Sequence, residues 1–220
     1  MTEKQPHEAY DAIAETYAAG GEDDPAMRAC IREQLATLTP GNRVLEVGCG
    51  PGLDAGALAA RGMEVTGVDL SSKCIARAQR NYPDVDFRCM DMRAPQFNDG
   101  AFDGILGIAC FCHLSREEVS DALACYRRLL CPGGALVLLL MDSRLVDGYV
   151  VEDWGGLAGN HVEMLCHDRA WMEGALQSAK FHEMQVIPLS SAHYEAMPRI
   201  REHGIELYMV TARSDVAGAP

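Results

Sequence analysis

The spacing of apolar residues changes repeatedly along the chain, and each change marks an element. Tyr10, Ile13, Ala14 and Tyr17 recur at i, i+3, i+4 and i+7, which predicts a short amphipathic helix before the GGEDDP break. From Pro25, the residues Met27, Cys30, Ile31, Leu35 and Leu38 share one face and carry a second helix to Pro40-Gly41. Val44 to Val47 then form a short apolar run with one carboxylate, Glu46. Gly48, Gly50 and Gly52 follow at alternate positions, and Leu53, Ala57, Leu58 and Ala59 return to helical spacing. This is a buried strand turning through glycines into a helix, the first unit of a doubly wound α/β sheet.

The alternation continues. Met63 to Val68 predict a second strand ending at Asp69, and Ser71 is placed to cap a helix over 72–80. Val85, Phe87 and Cys89 alternate as a third strand, and Ala101 to Ala109 form a fourth. Ser115 and Glu118 have capping-box spacing ahead of Val119, Ala122, Leu123, Tyr126 and Leu130 on one helical face. A C-P-G-G turn leads into a fifth strand, Ala135 to Met141. Beyond Asp142 the pattern loosens: 143–160 has no clean period and reads as an insertion over a substrate pocket. A helix starting near Asp168 and two closing strands, 181–189 and 205–211, end the chain, joined by a loop with His193 and Tyr194.

Composition narrows the partners. A chain of 220 residues suits one domain, and a net charge of -13 sets the surface against nucleic acid. The start, MTEKQPHEAY, lacks a signal-peptide apolar core, and the longest apolar run is too short to span a bilayer, so a cytoplasmic protein with no membrane association is expected. The nine cysteines include no C-x-x-C pair and read as small buried residues, so no metal site is expected. The one cluster of note is Cys110, Cys112 and His113.

The glycine turn implies a nucleotide-like ligand lying against main-chain N–H groups. Leu53 stands where a dinucleotide fingerprint has its third glycine, and no Gly-Lys-Ser/Thr ending is present, which disfavours phosphate binding. E-V-G-C-G-P-G resembles the first motif of the class I S-adenosylmethionine-dependent methyltransferases. V-T-G-V-D-L-S and L-L-C-P-G-G-A-L-V-L-L-L resemble later landmarks of that family, the matches together spanning about Arg43 to Met141. The resemblance implies a seven-stranded Rossmann-like sheet, mostly parallel with an antiparallel C-terminal strand and helices on both faces. It divides a single domain into a helical lid or cap (1–40), a cofactor-binding core (41–141) and a substrate-side insertion with closing strands (142–220). The bland alternative for the first helix is packing on the sheet edge.

A carboxylate at the end of the second strand suits the vicinal hydroxyls of a ribose, which assigns Asp69. The resemblance implies that Glu46, Gly48, Gly50 and Gly52 embrace the amino-acid end of S-adenosylmethionine. It places Leu70 on the adenine ring, Asp91 and Met92 at its polar edge, and Ile108 and Ala109 along the methionine part, with Tyr17 closing from the first helix. S-adenosylhomocysteine is then the product. An acidic cavity formed by Glu46, Asp69 and Asp91 would favour the cationic cofactor over it. His113, in the loop after the fourth strand, is the candidate general base, with His161 and His167 as outside candidates. The acceptor is expected to be a small metabolite attacking through O, N, S or C; the residues leave the atom and the oligomeric state open. Rival readings are a nicotinamide-dependent oxidoreductase, a non-catalytic cofactor-binding protein, and metalloid methylation through Cys110 and Cys112.

Overall fold

The computed structural model describes residues 5–19, 24–189 and 202–215. The loop expected to carry His193 and Tyr194 lies outside them. Seven strands form one sheet in the order β3-β2-β1-β4-β5-β9-β8. These are β1 (Arg43–Val47), β2 (Glu64–Asp69), β3 (Asp86–Cys89), β4 (Phe102–Ile108), β5 (Leu130–Ser143), β8 (His182–Pro188) and β9 (Ile205–Arg213). β1 runs parallel to both β2 and β4, whereas β9 is antiparallel to β5 and β8. The antiparallel strand is therefore β9, inserted between two strands that share a direction.

Sequence chemistry accounts for the helix boundaries. Asp24 accepts from the Met27 N–H and Pro25 opens α2 (Pro25–Leu38); Ser71 accepts from Cys74 at the start of α4 (Ser72–Asn81). The capping box of α5 (Arg116–Leu129) is complete, with both Ser115 and Glu118 side chains bonded to backbone N–H groups. Asp168 caps α6 (Arg169–Ser178). The remaining helices are α1 (Pro6–Ala19) and α3 (Leu53–Ala59).

Helices cover both faces. Met27, Ile31 and Leu35 of α2 pack with Leu58, Ile75 and the β-strand positions Val44, Leu106, Val137 and Leu139. On the other face Val119, Leu123 and Tyr126 of α5 and Met172 and Leu176 of α6 meet Leu45, Ile105, Leu136, Leu138 and Val210. Alternate residues of β5 thus serve opposite cores, and each buried leucine contributes roughly 1.5–3 kcal/mol. The doubly wound order reverses between β1 and β4, so their carboxyl-end loops flank a crevice.

The insertion after β5 is more regular than its spacing suggests. β6 (Gly148–Val151) and β7 (Val162–Leu165) pair as an antiparallel hairpin, with a short 3-10 turn at Trp154–Gly156. The hairpin meets α1: the Asn160 side chain donates to the Ala9 carbonyl at 3.1 Å, and Ile13 lies against Gly155.

Candidate functional site

The carboxyl ends of β1, β2 and β4 open onto a cavity of about 1060 Å³, roofed by α1 and the β6–β7 hairpin. Of the residues singled out in the sequence, Tyr17, Gly48, Gly50, Asp69, Leu70, Asp91, Met92, Ile108, Ala109 and His113 line it. Glu46 and Gly52 do not. Gly52 opens α3 at φ +84°, and a Cβ there would fall 2.6 Å from the Phe87 ring, so its smallness serves packing. Glu46 is buried beneath the loop, and its Oε2 has no hydrogen-bond partner among the described residues. Burial, reinforced by nearby Asp54, pushes its carboxyl pKa well up, and the Arg28 charge and a backbone hydrogen bond from Ala55 oppose this.

The loop itself is tightly held. Gly48 has φ +64°, and a Cβ on it would sit 2.4 Å from the Cys110 Cβ, so the ends of β1 and β4 approach through the absence of a side chain. Gly50 has φ +50° and its N–H donates to Asp69 Oδ2 at 2.8 Å; Asp69 Oδ1 accepts from the Ser71 N–H at 2.8 Å. Burial raises the Asp69 pKa, and these two donors oppose that rise. Asp69 therefore fixes the glycine loop and still has lone pairs for a ligand. Ala109 adopts φ +52° at the end of β4, a strained backbone for a residue with a side chain.

Two arginines missed by the sequence reading line the cavity, and both are engaged by carboxylates. Arg28 of α2 pairs with the buried Asp54 of α3, which Arg32 also contacts at 2.5 Å. Arg93 forks onto Asp91 at 2.6 Å and reaches Glu118 at 2.6 Å. Burial acts to raise the Asp91 pKa, but the Arg93 contacts outweigh it and hold the carboxyl below its usual range. Tyr126, fully buried on α5, donates to the Met92 carbonyl at 2.7 Å and fixes that segment.

His113 lies in the 3-10 turn Phe111–His113. Its Nε2 is 3.0 Å from the Tyr10 hydroxyl and its Nδ1 is 3.3 Å from the Glu163 carbonyl. A carbonyl can only accept, so Nδ1 carries the proton and Nε2 accepts from the Tyr10 O–H. Burial lowers the His113 pKa to about 4, the Glu163 carbonyl opposing, so the ring is neutral near pH 7. Tyr10 links α1 to this loop. It also packs edge-on against Tyr17 (5.4 Å) and Trp154 (5.6 Å). Exposed His161 lines the cavity, whereas His167 is buried elsewhere with Nε2 3.0 Å from the Phe111 carbonyl. Cys110 and Cys112 line the cavity with thiol pKa values pushed up by burial, that of Cys112 to about 12, so both are protonated at neutral pH.

Residues 44–134 match the family described as a methyltransferase domain. The Bacillus subtilis protein named methyltransferase YqeM is 28% identical over 202 residues, covering 80% of this chain and 78% of its own. Other curated relatives are matched over only 30–49% of their own length. An S-adenosylmethionine-dependent methyltransferase from Mesorhizobium loti superposes with a TM-score of 0.67 at 21% identity, covering 84% of this chain and 96% of that one. The [4+2]-cyclase SpnF gives 0.74 at 20% identity over 97% and 98%. These superpositions speak for the fold. Leu53 in the fingerprint position, the protonated thiols and the sheet order argue against the nicotinamide and metalloid readings. Motif order, the matched methyltransferase domain and the seven-stranded topology together support a class I S-adenosylmethionine-dependent methyltransferase.

Proposed function

We propose that the chain transfers the methyl group of S-adenosylmethionine to an O, N, S or C nucleophile of a small metabolite bound beneath the β6–β7 hairpin. The observation that carries this reading is the single cavity in which the Gly48–Gly50 backbone, Asp69 and the Tyr10–His113 pair meet under a roof. A crevice with positive-φ glycines and a carboxylate with spare lone pairs fits the cofactor. Gly48 and Gly50 would take its amino-acid end, with Arg28 as a cation for the carboxylate. Asp69 would hold the ribose, and Leu70, an apolar side chain 38% exposed, would face the adenine beside Asp91 and Met92. Ile108 and Ala109 would flank the methionine chain and Tyr17 would close over it, whereas Glu46 and Gly52 shape the loop from behind.

When bound, the cofactor supplies an electrophilic methyl on a sulfonium. The chain contributes alignment in a water-poor space, which in the best intramolecular models is worth on the order of 7–11 kcal/mol. His113, with both ring nitrogens engaged, acts by fixing Tyr10 at the acceptor rather than by taking a proton itself. A second reading, ligand binding with different chemistry, draws on the fold shared with a cyclase, since a fold does not fix a reaction.

Incubation with methyl-tritiated S-adenosylmethionine and a bacterial extract below 1 kDa tests the proposal. Label in a low-mass product with matching S-adenosylhomocysteine release is expected. In Tyr10→Phe, transfer should fall at least tenfold with cofactor affinity within twofold of wild type. Label confined to macromolecules added in parallel, or no S-adenosylhomocysteine, overturns it.

A further inference from the structure

The β6–β7 hairpin and the turn after β4 meet at His113, and both are tied to one residue that does not border the cavity. His167 lies two residues beyond β7 and is 2% exposed. Its main chain is bound to two strands of the sheet. The N–H donates to the Met141 carbonyl on β5 at 2.8 Å, and the carbonyl accepts from the Tyr208 O–H on β9 at 2.7 Å. Its side chain reaches across to the turn, with Nε2 3.0 Å from the Phe111 carbonyl.

A carbonyl only accepts, so Nε2 of His167 carries the proton and Nδ1 keeps a lone pair. That lone pair is buried without a hydrogen-bond partner among the described residues, an arrangement that costs stability. Burial lowers the pKa of the ring and the Arg116 charge adds to this, the Phe111 bond opposing, so His167 is neutral near pH 7. Folding alone does not call for a histidine here. The Phe111 carbonyl already accepts from the Leu114 N–H at 3.0 Å, which closes the 3-10 turn, and an aliphatic side chain would leave no orphaned nitrogen. What the histidine adds is a fixed placement of the turn against the chain leaving β7.

His113 depends on that placement. The turn carries its ring, β7 carries the Glu163 carbonyl 3.3 Å from Nδ1, and Nε2 accepts from Tyr10 at 3.0 Å. Hydrogen bonds weaken steeply as they bend, so a shift of the turn against β7 releases the ring and Tyr10 with it. The glycine loop and Asp69 are bonded to each other on β1 and β2, outside this linkage. Resting on the methyl-transfer reading above, we propose that His167 is a positioning residue for the acceptor end of the site. Its Nε2–H bond to Phe111 sets the turn against β7, so that the Glu163 carbonyl orients His113 and His113 holds Tyr10 toward the acceptor.

Imidazole 15N NMR of the wild-type chain is the first test: at pH 7 His167 should carry its proton on Nε2 and His113 on Nδ1. A His167 proton on Nδ1 overturns the assignment. His167→Gln and His167→Asn then separate reach from chemistry, because the glutamine amide nitrogen extends about as far as Nε2 and the asparagine nitrogen only as far as Nδ1. In His167→Asn, His113 should lose its single tautomer, and methyl transfer to the low-mass extract should fall at least fivefold with S-adenosylhomocysteine affinity within twofold of wild type. His167→Gln should keep the wild-type His113 spectrum and at least half the transfer. If His167→Asn does not unfold cooperatively, His167→Leu takes its place with the same expected losses. Unchanged His113 signals in the short variant, equal losses in both variants, or a loss of S-adenosylhomocysteine affinity as large as the loss of transfer overturns the assignment. Absence of transfer in the wild type strikes the underlying methyl-transfer reading instead, and the His113 spectra still decide the role of His167.

Discussion

Gly48→Ala probes the contact that brings the two site-bearing strands together. The left-handed backbone at φ +64° costs a residue with a Cβ roughly 1–2 kcal/mol, and separating the new methyl from the Cys110 Cβ, 2.4 Å away, adds about 1–3 kcal/mol. Gly62 is the internal control: its φ is +89°, but nothing lies within 4 Å of a Cβ built there, so Gly62→Ala incurs the backbone cost alone. Urea unfolding should place Gly48→Ala at least ~1 kcal/mol below Gly62→Ala, following that overlap. Calorimetry should show a tenfold or greater loss of S-adenosylhomocysteine affinity in the first variant and less than twofold in the second. Cys110→Gly on the Gly48→Ala background removes the clashing Cβ and should recover part of both losses. Equal stability of the two alanine variants with equal binding would refute the proposed packing of the glycine loop against Cys110.

Tyr126→Phe leaves the Met92 carbonyl without its buried donor and should cost about 1–3 kcal/mol in urea unfolding, with a smaller loss for Tyr126→Phe/Met92→Leu excluded because the carbonyl is main chain. His113 is buried neutral, its pKa lowered to about 4 from 6.5, so the unfolded chain binds its proton first. Stability from this group is therefore full above pH 6.5 and falls as pH drops toward 4, by about 3 kcal/mol. His113→Asn should remove that part of the acid slope. An unchanged slope would show that His113 titrates normally in the folded chain.

The core was legible because local chemistry and long-range order agree there. Glycine spacing, Asp69 at the end of β2, the Ser71 and Ser115 caps and the apolar run of β5 each specify structure without reference to distant residues. The β6–β7 hairpin was not legible. Tyr149, Val151, Val162 and Met164 pack inward while Val150 and Glu163 also border the cavity, so apolar–polar alternation is blurred, and four glycines break the remaining pattern. No local spacing marks Arg28 or Asp54, yet they pair out of solvent across α2 and α3. The role of Tyr10 depends on a partner 103 residues away, which no local period encodes. Glu46 carried the expected motif position, but a strand buried along its length turns its carboxylate behind the loop.

The measurement that tests the central claim most directly is calorimetric titration of the wild-type chain and Asp69→Ala with S-adenosylmethionine, S-adenosylhomocysteine and NAD, each protein first shown to unfold cooperatively. Binding of the first two ligands in the micromolar range, weakened at least tenfold in Asp69→Ala, with no binding of NAD, is the predicted result. Binding of NAD alone, or undiminished S-adenosylmethionine affinity in Asp69→Ala, would contradict it.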